Sequence, residues 1–166
     1  MAKHEEEHVR EIHKDEAPLL ATVLVRTVRA TNAVDYDPEQ IETWTTIARV
    51  EAEWQKRLAS LHTFVCTVDG EIAGFASLDR EGYLDLLYVA LEFQRRGIAT
   101  RLVAAIESRA RALGVAMIVT DASITARPFF ERRGFSVVRP QTVRLHGVEF
   151  TNFRMIRLLY SANGAT

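Results

Sequence analysis

Seven residues, Tyr83-Leu84-Asp85-Leu86-Leu87-Tyr88-Val89, constrain this chain more than any others. They form an almost continuous apolar run directly after Gly82, the pattern of a strand covered on both faces. Further on, Leu102, Val103, Ile106, Ala110 and Leu113 recur at three- and four-residue spacing and give way to Gly114, which predicts a helix from Ile98 to Leu113. The segment between them, Gln94-Arg95-Arg96-Gly97-Ile98-Ala99, must therefore deliver a buried strand into a helix N-terminus. Unpaired N–H groups and the positive end of the helix dipole meet there, which suits a phosphate. Gly97 lets the backbone approach a ligand closely, and Ala99 keeps the first turn free of bulk.

Two common phosphate motifs fail at this turn. No Lys-Ser or Lys-Thr pair follows the glycine, which argues against a nucleoside triphosphatase. A dinucleotide fingerprint needs three glycines, and the turn holds one. What remains, Gln-x-x-Gly-x-Ala, resembles the turn with which the GNAT superfamily of acetyl-CoA-dependent N-acetyltransferases wraps the pyrophosphate of coenzyme A. Val89, five residues before Gln94, sits where that family has valine or isoleucine. Downstream, the stretch from Ser123 through Phe129-Phe130 to Gly134-Phe135 resembles the family's closing helix and its Gly-Phe exit. The pattern Tyr36, Pro38, Gln40, Ile41, Trp44 and the ending Phe150 to Met155 are similar to a bacterial subfamily of small, YafP-like members.

Composition sets the outer bounds. The chain has 166 residues, 48% hydrophobic and 26% charged, enough for one well-cored domain and too little for two. A net charge of -1 points to no nucleic-acid or membrane partner. The single Cys66 excludes an intrachain disulfide and fits a reducing cytoplasm. The five His residues show no metal spacing, so no metal is expected. The opening residues are too acidic and polar for a signal peptide. Residues 1–7 and 161–166 are expected to be flexible, around one domain over 8–160.

Taken in order, His8 to Ile12 reads as a short strand. Asp15 caps a helix over Glu16 to Arg29, with Leu20, Val23, Leu24, Thr27 and Val28 on its inner face. Thr31 to Tyr36 is a loop. Asp37-Pro38-Glu39-Gln40 opens a second helix as a capping box with proline in its first turn, and a third covers Arg49 to Ala59. Thr63–Val68 and Glu71–Leu78 form a hairpin about Asp69-Gly70, and Tyr83–Val89 continues the meander. Ala116 to Thr120 is a short strand that returns across a helix and so lies parallel to Tyr83–Val89. A helix from Thr125 to Arg133 and a hairpin of Ser136–Leu145 with Val148–Leu159 finish the chain. The expected class is α/β (α+β). The resemblance implies the GNAT fold, a mixed, mostly antiparallel twisted sheet of about six to seven strands flanked by helices.

The resemblance also implies roles. Acetyl-CoA would be held by the backbone of Arg95 to Thr100, that is by Arg95, Arg96, Gly97, Ile98, Ala99 and Thr100 after Gln94, with the two guanidinium groups available for phosphates. The backbone of Leu87, Tyr88 and Val89 would pair with the pantetheine arm as an added strand, and the Leu87 N–H would face the thioester oxygen. Ser123, Phe129 and Phe130 would border the cofactor. Tyr36 and Trp44 lie in the segment that walls the acceptor in this family, although Trp44, like Trp54, reads first as a packing residue. From its own position near the end, Asn152 either borders the cleft or is a satisfied sheet residue.

Asp85 is a carboxylate inside an apolar strand. Alternation puts it on one face with Tyr83, Leu87 and Val89, where it must be hydrogen-bonded or open to a cleft. It is either a structural carboxylate satisfied by an arginine or amide, or the group that faces the acceptor amine as base or counter-charge. Phe130 is a departure, because the family usually has a tyrosine there to protonate the departing thiolate. A thiol pKa of about 8.5 makes that anion a tolerable leaving group, and Tyr83 or Tyr36 offers another hydroxyl. Ser123 and Leu91 depart too, from asparagine and proline. The expected activity is acetyl transfer to a primary amine of a small molecule by direct attack. Alternatives are a protein or peptide acceptor, or an acyl-CoA-binding sensor without turnover; a homodimer is common in the family.

Overall fold

A computed structural model describes residues 5–160. It contains β1 (Glu7–Glu11), α1 (Ala17–Thr31), α2 (Pro38–Thr45), α3 (Glu51–Ala59), β2 (His62–Val68), β3 (Glu71–Leu78), β4 (Tyr83–Val89), α4 (Ile98–Ala112), β5 (Met117–Ser123), α5 (Arg127–Arg132), β6 (Ser136–Leu145) and β7 (Val148–Leu158). The strands make one seven-stranded sheet in the order β1-β2-β3-β4-β5-β7-β6. Only β4 and β5 run parallel; every other neighbouring pair is antiparallel. This is the mixed, helix-flanked sheet expected. Of the ends expected to be flexible, 1–7 and 161–166, residues 1–4 and 161–166 lie outside the described residues, whereas Glu6 N donates to Asp69 Oδ1 at 2.9 Å and Glu7 already pairs with Val68 in β1.

Each face of the sheet carries its own core. On one, α4 seats Ile98, Leu102, Val103 and Ile106 against Cys66, Ala76, Leu84 and Ile118. Gly74 on β3 makes this approach possible, since a Cβ there would stand 2.7 Å from the Tyr88 carbonyl and 3.2 Å from both Ile98 and Leu102. On the other face α1, α2 and α3 bring Leu20, Leu24, Val28, Ile41, Trp54 and Leu58 onto Val65, Phe75 and Leu86. Trp54 is completely enclosed and donates its indole N–H to the Ala17 carbonyl at 2.8 Å, so it is a packing residue.

Local sequence explains most element ends. Asp37 accepts from Gln40 N at 2.8 Å while the Gln40 amide oxygen accepts from Asp37 N at 2.9 Å, the reciprocal capping expected. Asp15 does not cap α1. Glu16 takes the organising position there, accepting from His13 N at 2.8 Å and from two Arg10 nitrogens at 2.5 and 2.9 Å, and a short 3-10 turn at Lys14–Glu16 leads into the helix. The strand expected to stop at Thr120 runs on to Ser123, because β7 stays paired with it from Met117↔Leu158 to Ser123↔Asn152. The following helix is correspondingly shorter: Ser123 Oγ accepts from Ala126 N and Thr125 Oγ1 donates to Asp35, which holds those residues out of it.

Candidate active site

The parallel pair β4/β5 touches only through Tyr83↔Val119 and Leu84↔Thr120, and beyond that point the strands part. Thr120 Oγ1 donates to the Leu84 carbonyl at 3.0 Å at the apex. On its other side β4 stays paired with β3, and Ala90 N donates to Ala73 O at 2.8 Å. In an antiparallel ladder alternate residues face the partner, so Tyr88 and Leu86 direct their backbone groups to β3. Those of Leu87 and Val89 turn into the opening. The Val89 carbonyl confirms the direction, accepting from Thr27 Oγ1 at 3.0 Å and Gln94 Nε2 at 3.2 Å.

The opening is a cleft of about 600 Å³ whose lining includes Leu87, Tyr88, Val89, Gln94, Arg95 and the first turn of α4. Gly97 is left-handed at φ +81 and Arg101 N bonds to Gly97 O at 3.1 Å. The N–H groups of Ile98, Ala99 and Thr100 therefore precede the first intrahelical bond, and no side chain caps them. Gln94 shapes the turn: its amide also donates to Thr31 Oγ1 at 3.0 Å, tying the turn to α1. Arg96 lies over the Phe93 ring at 5.2 Å and pairs with Glu5. Arg95, also left-handed at φ +60, is exposed and makes no ion pair among the described residues.

A second cavity of about 310 Å³ opens on the α1–α3 side, and it shares Trp44, Asp85, Tyr88, Asp121 and Ser123 with the first. Asp85 sits at the junction because β4 is bulged. β3 pairs Ser77 with Leu86 and then Leu78 with Leu84, so Asp85 is the extra residue. The expected alternation therefore breaks: Asp85 faces α3, whereas Leu87 and Val89 pack toward α4. Its two oxygens receive Arg57 Nε at 2.9 Å and Nη2 at 2.8 Å, a bidentate pair.

Beside it Asp121 gathers four hydrogen bonds. Arg154 donates from Nε at 2.7 Å and Nη2 at 2.9 Å, Gln141 at 2.8 Å and the Tyr83 hydroxyl at 2.9 Å. Burial pushes this carboxyl up, but the Arg154 and Tyr83 hydrogen bonds outweigh it and hold it below the usual range. Tyr83 moves the other way: burial, then the Asp121 charge, raise it well above an ordinary phenol. Tyr88 is pushed up to about 12, chiefly by burial.

Hydroxyl bookkeeping decides which phenol has a proton to offer. Tyr83 gives its proton to Asp121. Tyr36 gives its own to the Thr151 carbonyl at 2.7 Å while accepting from Ile124 N at 3.0 Å. The Tyr88 hydroxyl accepts from the Trp44 indole at 3.0 Å and has no acceptor for its own hydrogen among the described residues. Phe130 is buried, with Phe129 and Phe135 edge-on at 5.3 and 5.0 Å, although its ring still lines the first cavity beside Phe129. Tyr36, Trp44 and Asn152 all line the second.

Sequence reasoning missed Asp121, Arg57, Arg154 and Gln141. Asp121 and its arginine were findable only by extending β5 past its apolar residues into register with β7. Arg57 looks like any solvated charge on a short helix.

Comparison with known proteins agrees with this geometry. An acetyltransferase (GNAT) domain model matches residues 32–157. The chain is 39% identical over 136 residues to the uncharacterised N-acetyltransferase YafP of Escherichia coli K12, covering 82% of this chain and 85% of that one. Among solved structures it resembles a GCN5-related N-acetyltransferase from Rhodopseudomonas palustris (32% identity, TM-score 0.89, 91% and 94% of the two chains). It also shares the fold of the PaiA N-acetyltransferase of Thermoplasma acidophilum, solved with coenzyme A (17% identity, TM-score 0.77, 92% and 99%). The chain belongs to the GNAT acetyltransferase family. It is an acyltransferase whose co-substrate is acetyl-CoA, and the first cavity fits that molecule. Uncapped N–H groups at α4 suit its phosphates, and an unpaired strand edge suits its amide-bearing arm. No helix among the described residues is long and apolar enough to cross a membrane.

Proposed function

We propose that this protein transfers the acetyl group of acetyl-CoA directly to the primary amine of a small molecule. The observation behind this reading is the junction of the two cavities at the β4 bulge. An acyl group lying along β4 in the first cavity meets an amine entering from the second at Asp85. Acetyl-CoA supplies an activated thioester there. The chain's residues do the rest. The N–H groups of Ile98, Ala99 and Thr100 hold phosphate, and the Leu87 N–H points where the carbonyl oxygen gathers charge, worth about 3 kcal/mol of barrier in a dry site. The amine nitrogen forms its bond to the carbonyl carbon as the carbon–sulfur bond breaks. Asp85 keeps a free lone pair on each oxygen beyond the Arg57 contacts and takes the amine proton, directly or through water. The uncommitted Tyr88 hydroxyl is the donor available to the departing thiolate.

A reading without turnover, in which the protein senses acyl-CoA, draws on Phe130 in place of the usual tyrosine. Calorimetric titration with acetyl-CoA, beside a thiol-release assay over a panel of amines, separates the two. Binding with release establishes the transferase on small amines. Binding without release favours the sensor, and no binding removes the reading of the Gln94–Thr100 turn.

A further inference from the structure

The second cavity also carries information about what the acceptor looks like. Its walls are apolar and largely aromatic: Tyr36, Trp44, Ile47, Val143, Leu145 and Phe150. Trp44 stands edge-on to both Tyr36 and Phe150, at 5.3 and 6.2 Å, so the aromatic wall is fixed by its own packing. A volume of about 310 Å³ is at the small end for ligand sites.

The charges of this cavity are all matched. Arg57 closes on Asp85 through two hydrogen bonds, and Arg154 closes on Asp121 through two more. Each is a neutral bidentate pair. A substrate carboxylate or phosphate would meet no spare guanidinium. A second ammonium would meet no spare carboxylate, and burying either charge unpaired is costly. One polar lining group is different. The Asn152 side chain makes no hydrogen bond among the described residues, and its Oδ1 is sealed from solvent without a partner. Asn152 faces Ser123 across the β5/β7 ladder, and both line the second cavity together with Asp85. The amide can be turned either way, so the end that meets the cavity is a donor or an acceptor. The sealed end is out of a ligand's reach, so it is the other end, which no group among the described residues pairs, that is left for one.

We propose that the acceptor is a small monoamine on an apolar body, free of carboxylate, phosphate or a second ammonium, and that the Asn152 amide hydrogen-bonds it beside Asp85. This rests on the acceptor-side reading of the second cavity given above. The walls take the body, the matched pairs exclude additional charge, and Asn152 anchors the polar end.

The test uses the full-length protein with acetyl-CoA and three acceptors: 2-phenylethylamine, phenylalanine, which adds a carboxylate to the same body, and spermidine, which adds ammonium groups. Expected is a kcat/KM for 2-phenylethylamine at least about tenfold above both others. Asn152→Ala should raise KM for 2-phenylethylamine by about tenfold. Its acetyl-CoA affinity should stay within about twofold, which also shows that the variant folds. Equal or higher kcat/KM for phenylalanine or spermidine overturns the proposed acceptor class and leaves the transferase reading standing. An unchanged KM in Asn152→Ala overturns the anchor. Binding of acetyl-CoA with release from none of the amines overturns both this inference and the reading on which it rests.

Discussion

The two cavities on either side of β4 are made from different materials. The one on the α4 side is built from backbone: an uncapped helix N-terminus, the freed edge of one strand and a left-handed glycine. The one on the α1–α3 side is built from side chains: Tyr36, Trp44 and Arg57 from the helical half, Asp121 and Asn152 from β5 and β7. A backbone site is specified by consecutive residues and tolerates change in most of its side chains. A side-chain site depends on partners far apart in sequence, such as Arg57 with Asp85 or Gln141 with Asp121, and one substitution can alter its chemistry while leaving the other cavity intact.

The largest expected effect lies at the point where the two meet. Asp85→Asn keeps the shape and can still accept from Arg57, but it no longer takes a proton. We expect kcat to fall by about a hundredfold or more, with the acetyl-CoA dissociation constant, measured by calorimetry, within about twofold. Parallel losses in both would mean that the bulge residue supports the cofactor side too, and the division between the cavities would fail. Next comes Gly97→Val. No atom lies closer than 3.9 Å to a Cβ placed there, so the substitution acts through φ +81 and not through a clash. A β-branched residue pays at least about 1–2 kcal/mol in that region. Acetyl-CoA should bind at least about tenfold more weakly by calorimetry, and unchanged affinity would show that the turn is not the anchor.

This division also explains what the sequence reveals. The strand at Tyr83–Val89, the hairpin about Asp69-Gly70 and the parallel return of β5 were all legible, because periodicity and turn residues are local signals. So was the α4 turn. The α1–α3 cavity was not. Strict alternation put Asp85 with Leu87, and only the ladder with β3 reveals the extra residue that turns it toward Arg57. Asp121 lies in a polar stretch, Thr120 to Ser123, with nothing in its neighbourhood to say that β7 continues beside it or that Arg154 will arrive there.

A third, smaller effect concerns stability on the α1–α3 side. Asp121→Asn removes the charge that receives both Arg154 hydrogen bonds, and the site is partly open to solvent, so the loss should be about 1 kcal/mol. Because the folded-state carboxyl is depressed, its contribution is present in full above the unfolded pKa of about 3.9 and disappears as pH falls through the folded value. The melting-temperature gap between the native protein and the variant should therefore be steady from neutral pH down to about pH 5 and close below that. A gap that persists in stronger acid would mean that packing, not charge, is what Asp121 contributes.

The smallest expected effect is the one that most sharpens the contrast. Arg96 belongs to the turn before α4, yet its guanidinium already lies on Phe93 and pairs with Glu5. If backbone N–H groups carry the phosphates, removing this side chain takes away an exposed ion pair worth about 0–1 kcal/mol and leaves the anchor untouched. Arg96→Ala should then change the acetyl-CoA dissociation constant by less than about threefold at 0.15 M salt, where exposed charges are screened beyond about 8 Å. A loss of tenfold or more would mean that Arg96 leaves Glu5 to hold a phosphate. The α4-side cavity would then depend on a side chain as much as the α1–α3 cavity does.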